Sequence, residues 1–371
     1  MWDFILKDYK EISGCGVSGI INLKGGLIPG DLIIKSIVCQ EERGNGLGAG
    51  FAGYGIYPDF KDFYALHVMA DDKNCLEKFE AFLFQKIKAI YHEPIPTRKV
   101  KTIKNPPIFK RYFVKPEIEE TLSLEEQENK IIEMVMYINA NLKGIYILSS
   151  GKNMGVFKGV GFPSEIAEFF RIDEYQAYIW TAHNRFPTNT PGWWGGAHPF
   201  SLLDWSIVHN GEISSYGTNK RYLELFGYKC TLLTDTEVVT YLLDLLIRRH
   251  KLPIKLACTA LAPPFWMEIE CLNEEEKNLI EALRVVYGGA LLNGPFAIIF
   301  AYNGGIVGLT DRSKLRPLVV AKSGDLYYLA SEEAAIRTIC PNPEIVWHPK
   351  AGEPVILEIT EGTIPHQKSY K

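Results

Sequence analysis

Beyond residue 295 the chain is written as short apolar runs broken by turn residues: Phe296 to Tyr302, Ile306 to Thr310, Leu318 to Ala321, Leu326 to Ala330 and Pro354 to Ile359. Asn303-Gly304-Gly305 and Ser323-Gly324-Asp325 separate several of them, with glycine free to take the backbone angles a tight turn demands. Runs of the same kind lie at Cys15 to Asn22, Phe63 to Met69 and Gly144 to Ser149. Apolar positions at helical spacing predict helices over 76–90, 124–141, 235–249, 273–287 and 332–339. Strands drawn from distant parts of one chain, with helices between them, suit two stacked sheets covered by helices. The pattern by itself gives α+β and nothing finer.

Composition narrows the class. With 371 residues and 47% hydrophobic content, the chain can bury one large core or two modest ones, and no repeat or flexible linker divides it. A net charge of -4 supplies no general attraction for nucleic acid or an anionic membrane, so small molecules or another protein are the expected partners. The seven cysteines, at 15, 39, 75, 230, 258, 271 and 340, are scattered and form no C-x-x-C pair. They read as reduced thiols of a cytoplasmic protein. Asp3, Lys7, Asp8, Lys10 and Glu11 interrupt the first fourteen residues, which therefore lack the apolar block of a secretory signal. No other stretch approaches the roughly 18 apolar residues of a membrane helix.

Three features invite other readings. Residues 93–116 interleave Arg98, Lys99, Lys101, Lys104, Lys110, Arg111 and Lys115 with Phe109, Tyr112 and Phe113, as an RNA-binding segment would. Acidic residues follow directly, so a solvated loop and an edge strand are the preferred reading. Gly48-Ala49-Gly50-Phe51-Ala52-Gly53 matches G-x-G-x-x-G, but Glu41-Glu42-Arg43 precedes it where a buried strand is required, and Tyr57-Pro58 follows where a helix should start. His183, His198 and His209 are not spaced as ligands on one element, and they are expected to be hydrogen-bonded scaffold histidines with no metal.

Four segments remain: Cys15-Gly16-Val17-Ser18-Gly19, His183-Asn184-Arg185-Phe186-Pro187-Thr188, His209-Asn210-Gly211-Glu212 and Thr234-Asp235-Thr236-Glu237. Together they resemble the active site of class II glutamine amidotransferases, with the glutaminase domain of glutamate synthase as the nearest likeness. Further matching residues are His198-Pro199-Phe200, Gly294-Pro295-Phe296-Ala297, Asp311 to Leu318 and Ala330-Ser331-Glu332, whereas residues 60–175 match less clearly. The resemblance implies an N-terminal nucleophile hydrolase fold, a four-layer αββα sandwich. It also implies a leader over 1–14, removed by autocatalytic cleavage before Cys15, and one amidotransferase domain over 15–371.

The implied roles agree with the chemistry of the residues. A thiol on a terminal residue has its own base, because an α-amine titrates near pH 8; Cys15 is then the nucleophile. Asn210, through its side-chain NH₂, and Gly211, through its backbone N–H, supply an oxyanion hole. Arg185 grips the carboxylate of glutamine with paired donors, Thr188 adds a neutral hydrogen bond, and Asp235 takes the α-ammonium. Plainer roles are open to the same residues: a structural cysteine, a hairpin turn at Asn210-Gly211, a surface arginine, and a helix-stabilising Asp235 inside a Thr234/Glu237 capping box. Residues 187–200, with two tryptophans, read as a mobile loop able to close over substrate, or as an ordered loop packed by Trp193 and Trp194. The resemblance further implies that the ammonia passes to a glutamate synthase-type partner, that any flavin and iron-sulfur centres belong to that partner, and that this chain needs no cofactor. A catalytically silent glutamine sensor that keeps its leader, and an acylase acting on another amide, are the competing readings.

Overall fold

The computed structural model describes residues 14–116, 122–187 and 192–370. Two antiparallel sheets stack face to face. The larger runs in the order Ile345–Trp347, Val319–Ser323, Leu326–Ala330, Gly16–Asn22, Ile179–Asn184, Ala49–Tyr54, Met154–Gly159. The smaller runs Phe200–Leu202, Trp205–Gly211, Phe296–Tyr302, Gly305–Thr310, Val355–Glu358. Alternate residues of each strand face the partner sheet, and Val17, Ile21, Ala52, Val156, Ile299, Ile306 and Leu329 meet there in a sealed apolar layer. Each aliphatic side chain sealed in this way stabilises the sandwich by about 1.5–3 kcal/mol. The Tyr54 hydroxyl crosses the gap, lying 2.7 Å from Asp204 O, 2.8 Å from Ser206 Oγ and 2.9 Å from Ala301 O.

Helices cover both outer faces. Gly30–Val38, Pro163–Phe169 and Glu333–Arg337 lie on the larger sheet, and Asp235–Leu243 lies across Phe200–Leu202 and Trp205–Gly211 of the smaller one. This is the expected αββα order. Among the described residues no helix is long and apolar enough to cross a membrane.

A further four-stranded sheet, ordered Lys88–Pro94, Ile108–Lys115, Tyr64–Ala70, Ile145–Ser149, is inserted between the Ala49–Tyr54 and Met154–Gly159 strands. It carries the helices Lys73–Lys86 and Leu124–Asn141. The sequence pattern missed this sheet as a unit, and the helix predicted over 76–90 ends at Lys86, after which Ile90 and Tyr91 belong to an exposed edge strand. Three basic residues of 93–116 are paired: Arg111 with Glu93, Lys110 with Glu80 at 2.5 Å and Arg98 with Asp173 at 2.9 Å. Such pairing leaves those three cations little charge for a phosphate backbone.

The glycine-rich 48–53 segment forms a central strand, not a nucleotide loop. Gly50 is required there because a Cβ would stand 2.2 Å from His198 O. The helix predicted over 235–249 keeps α geometry through Leu243 and continues as a π-helix over Asp244–Arg249. Its expected capping box is not made: Thr234 caps the helix by accepting from Thr236 N, while Glu237 turns away to accept the N–H groups of Thr231 at 3.1 Å and Leu232 at 2.9 Å.

Candidate active site

The functional segments converge because their strands end together. Gly16 pairs with Asn184 in the larger sheet, so Cys15 and Arg185 emerge at the same end of adjacent strands. In the facing sheet Trp205–Gly211 ends at the same place, and His183 Nε2 reaches His209 O across the gap at 2.9 Å. A cleft of about 260 Å³ opens there, lined by Cys15, Arg185, Gly211 and Asp235 among others. Asn210 is fully buried beside the cleft and does not line it; its Oδ1 lies 3.8 Å from where a Cβ on Gly14 would stand. Thr188 lies outside the described residues, as do residues 1–13 of the expected leader.

The backbone N–H of Phe186 donates to Cys15 Sγ at 3.3 Å. Burial, with the Asp235 carboxylate, pushes the Cys15 thiol up, and this N–H with the Arg185 and Arg316 guanidiniums offsets only part of that rise. The Cys15 carbonyl accepts from Arg43 Nε at 3.1 Å, and Arg43 Nη1 is in turn 2.5 Å from Glu332 Oε1. The nitrogen of Cys15 is a peptide nitrogen so long as Gly14 precedes it, and it has no basic lone pair in that state.

Asp235 opens its helix, as the sequence indicated, and still faces the cleft. Its Oδ2 accepts the Ile213 N–H at 2.9 Å, and its Oδ1 lies 3.6 Å from His209 Nδ1. Burial alone would raise this carboxyl, but His209 and the hydrogen bonds from Ile213 and Thr236 outweigh it and hold the group down at about 2. The cleft is thus lined by the buried Arg185 guanidinium and the ionised Asp235 carboxylate, and Glu212 lines it as well.

The hairpin reading of Asn210-Gly211 does not hold, since the pair ends a strand. Gly211 has φ 134°, and a Cβ would stand 2.0 Å from Pro295 O. Only glycine fits this backbone and this contact. The buried histidines stack: the His183 and His198 ring centroids are 4.0 Å apart, and Thr236 Oγ1 lies 3.3 Å from His198 Nε2 and 3.1 Å from His209 Nδ1. Burial pushes His183 down to about 3 despite its bond to His209 O, and pushes His198 well down too. Neutral stacked rings fit the scaffold role, and among the described residues no cluster of His, Cys, Asp and Glu is gathered to hold a metal.

Sequence reasoning missed Phe186, Ile213, Tyr216 and Leu233 as lining residues. Phe186 and Ile213 act through backbone N–H groups, which no side-chain motif records. Over its described part, 192–200, the tryptophan loop takes the packed alternative: Trp194 lies against Phe109 and Phe169, with centroids 5.3 and 5.6 Å away, and Trp193 against Tyr146 at 6.1 Å.

Comparison with known proteins gives the family of the chain. An uncharacterized protein of Archaeoglobus fulgidus is 50% identical over 350 residues, covering 94% of this chain and 93% of its own. A protein of Methanothermobacter thermautotrophicus named as a putative glutamine amidotransferase is 24% identical over 336 residues, covering 89% of this chain and 95% of its own. The glutamate synthase [NADPH] large chain of Bacillus subtilis is 25% identical over 252 residues, which are 61% of this chain and only 16% of that enzyme. Amidotransferases of other names match at 24–26% identity, so identity selects no single ammonia acceptor. The family model for glutamine amidotransferases class-II matches residues 94–370, a span that includes Arg185, Asn210, Gly211 and Asp235 and leaves Cys15 outside. The chain belongs to the class II glutamine amidotransferases.

Proposed function

We propose that this chain hydrolyses glutamine to glutamate and ammonia through a thioester on Cys15. The observation that carries the reading is one cleft lined by a thiol, a guanidinium and an ionised carboxylate. At about 260 Å³ it lies below the roughly 300–1,000 Å³ of pockets that hold drug-sized ligands, which suits a free amino acid. Arg185 takes the substrate carboxylate and Asp235 its α-ammonium, which directs the side-chain amide toward Sγ. Thr188 joins this grip.

The α-amine of Cys15 accepts the thiol proton, and the thiolate adds to the amide carbon. The Gly211 N–H and the Asn210 amide stabilise the resulting oxyanion. Collapse of the tetrahedral adduct expels ammonia, which carries the proton returned by the amine. Water then adds to the thioester and releases glutamate with the free thiol.

This cycle requires cleavage between Gly14 and Cys15. Attack of Sγ on the Gly14 carbonyl moves the acyl group from nitrogen to sulfur and frees the amine, and water releases the leader from the thioester. The ammonia is supplied to a glutamate synthase-type partner, a reading supported by the motifs from Thr181 to Asn219 and from Gly294 to Glu332. Flavin and iron-sulfur centres reside on that partner.

The test is ammonia release from glutamine by the purified protein, with partner present, compared with Cys15→Ala. The wild type is expected to turn over and the variant to be silent; equal rates would end the reading. An intact mass retaining every residue in a protein that binds but does not hydrolyse glutamine would support the silent sensor.

A further inference from the structure

The buried atoms beside Cys15 do not balance. Asn210 is fully buried, its Nδ2 lies 3.4 Å from Ser331 Oγ, and its Oδ1 has no hydrogen-bond partner among the described residues. Ser331 Oγ already accepts the Val17 N–H at 3.1 Å, while the Ser331 N–H donates to Val17 O at 3.0 Å. With Nδ2 facing it, the serine meets two donors, and among the described residues neither bond uses its own proton. A buried acceptor is left unsatisfied, at a cost comparable to a lost hydrogen bond, beside a hydroxyl that only accepts in its two bonds.

Turning the Asn210 amide about its Cβ–Cγ bond resolves both. An amide has nearly the same shape in either orientation, so the turn costs little packing. Oδ1 then accepts the Ser331 hydroxyl proton, and Nδ2 replaces the orphaned oxygen on the side toward Gly14 and Cys15. That side needs a donor for an oxyanion, and a carbonyl oxygen there would repel one.

We propose that Ser331 is a positioning residue of the glutaminase reaction: its hydroxyl, fixed by the Val17 backbone, donates to Asn210 Oδ1 and thereby aims Nδ2 at the oxyanion. The inference rests on the glutaminase reading above and deepens it. The neighbouring Glu332 serves the same end from the other side, since it holds Arg43 on the Cys15 carbonyl. One segment, Ser331-Glu332, thus sets both the nucleophile and the donor that faces it. Ser331 does not touch substrate, and its effect is confined to steps in which the oxyanion exists.

The experiment uses the processed enzyme and glutamate γ-semialdehyde, whose thiohemiacetal with Cys15 places an oxyanion in the same hole. Ser331→Ala is expected to lower kcat and weaken the aldehyde about 10- to 100-fold, short of the loss seen when a donor is deleted outright. Glutamine KM and glutamate affinity should stay within about twofold, because ground-state contacts are untouched. Ser331→Cys, of similar size but a weak donor, should behave like alanine, and Ser331→Thr should recover most of the loss. Unchanged kcat and aldehyde affinity in Ser331→Ala would overturn the positioning role alone. An equal loss of glutamate and aldehyde binding would also overturn it, in favour of a purely structural serine. Absence of any aldehyde adduct on the wild type would overturn the glutaminase reading and this proposal with it.

Discussion

The backbone N–H of Phe186 points at Cys15 Sγ from 3.3 Å, across 171 positions of sequence. The donor belongs to the peptide that follows Arg185, so the residue that would grip substrate and the group that steadies the sulfur move as one unit. Register explains the meeting: Gly16 opposite Asn184 leaves no freedom in where Cys15 and Phe186 emerge.

Asp235 couples stability to pH. Its carboxyl is held at about 2 in the folded protein, below its ordinary 3.8, so its contribution is present above the unfolded value and disappears as pH falls through the folded one. At 1.36 kcal/mol per pKa unit this amounts to about 2 kcal/mol near neutrality. Asp235→Asn should therefore lower unfolding free energy in urea by about 2 kcal/mol at pH 7, and by less at pH 3. Glutamine KM should rise about tenfold or more, because the α-ammonium loses its counter-charge. A stability difference that grows toward pH 3 would contradict the assignment.

Gly211→Ala tests the backbone of the oxyanion hole. The new Cβ needs φ 134° and would stand 2.0 Å from Pro295 O, so either this strand end or the Pro295 turn must shift. Strain of this kind costs about 1–3 kcal/mol. Melting temperature and kcat should fall together, and wild-type kcat in a variant whose melting temperature has fallen would contradict a catalytic role for this backbone.

Arg185→Lys keeps the charge and removes the planar pair of donors. KM for glutamine should rise about 10- to 100-fold with a smaller change in kcat. Glutaminamide, which lacks the α-carboxylate, should lose little between wild type and variant. An equal loss for both compounds would place Arg185 outside the carboxylate grip.

How far the sequence could be read follows from where each signal lies. Cys15, Arg185, Gly211 and Asp235 stand in short motifs whose side chains or turn chemistry mark them, and the structure brings all four into one cleft. Asn210 was read as an oxyanion donor, but its contact with Ser331 spans 121 positions and appears only once the strands pair. Phe186 and Ile213 contribute N–H groups, which every non-proline residue has and which therefore leave no trace in composition. The central strand Ala49–Tyr54 was hidden by its glycines, present there for close packing and not for a turn. The inserted sheet escaped because its edge strand, Lys88–Pro94, is largely exposed and continues the apolar spacing of the helix before it. At Thr234 and Glu237 the local capping signal lost to tertiary structure, since Glu237 found buried N–H groups in the preceding loop.

The central claim is that the reactive sulfur and a free α-amine sit on the same residue. Active enzyme inactivated with the glutamine analogue 6-diazo-5-oxo-norleucine, then analysed by intact mass and peptide mapping, tests it most directly. The account predicts a single adduct on Cys15 of a chain whose first residue is Cys15. An adduct on any other residue, or full activity in a chain that still begins at Met1, would contradict it.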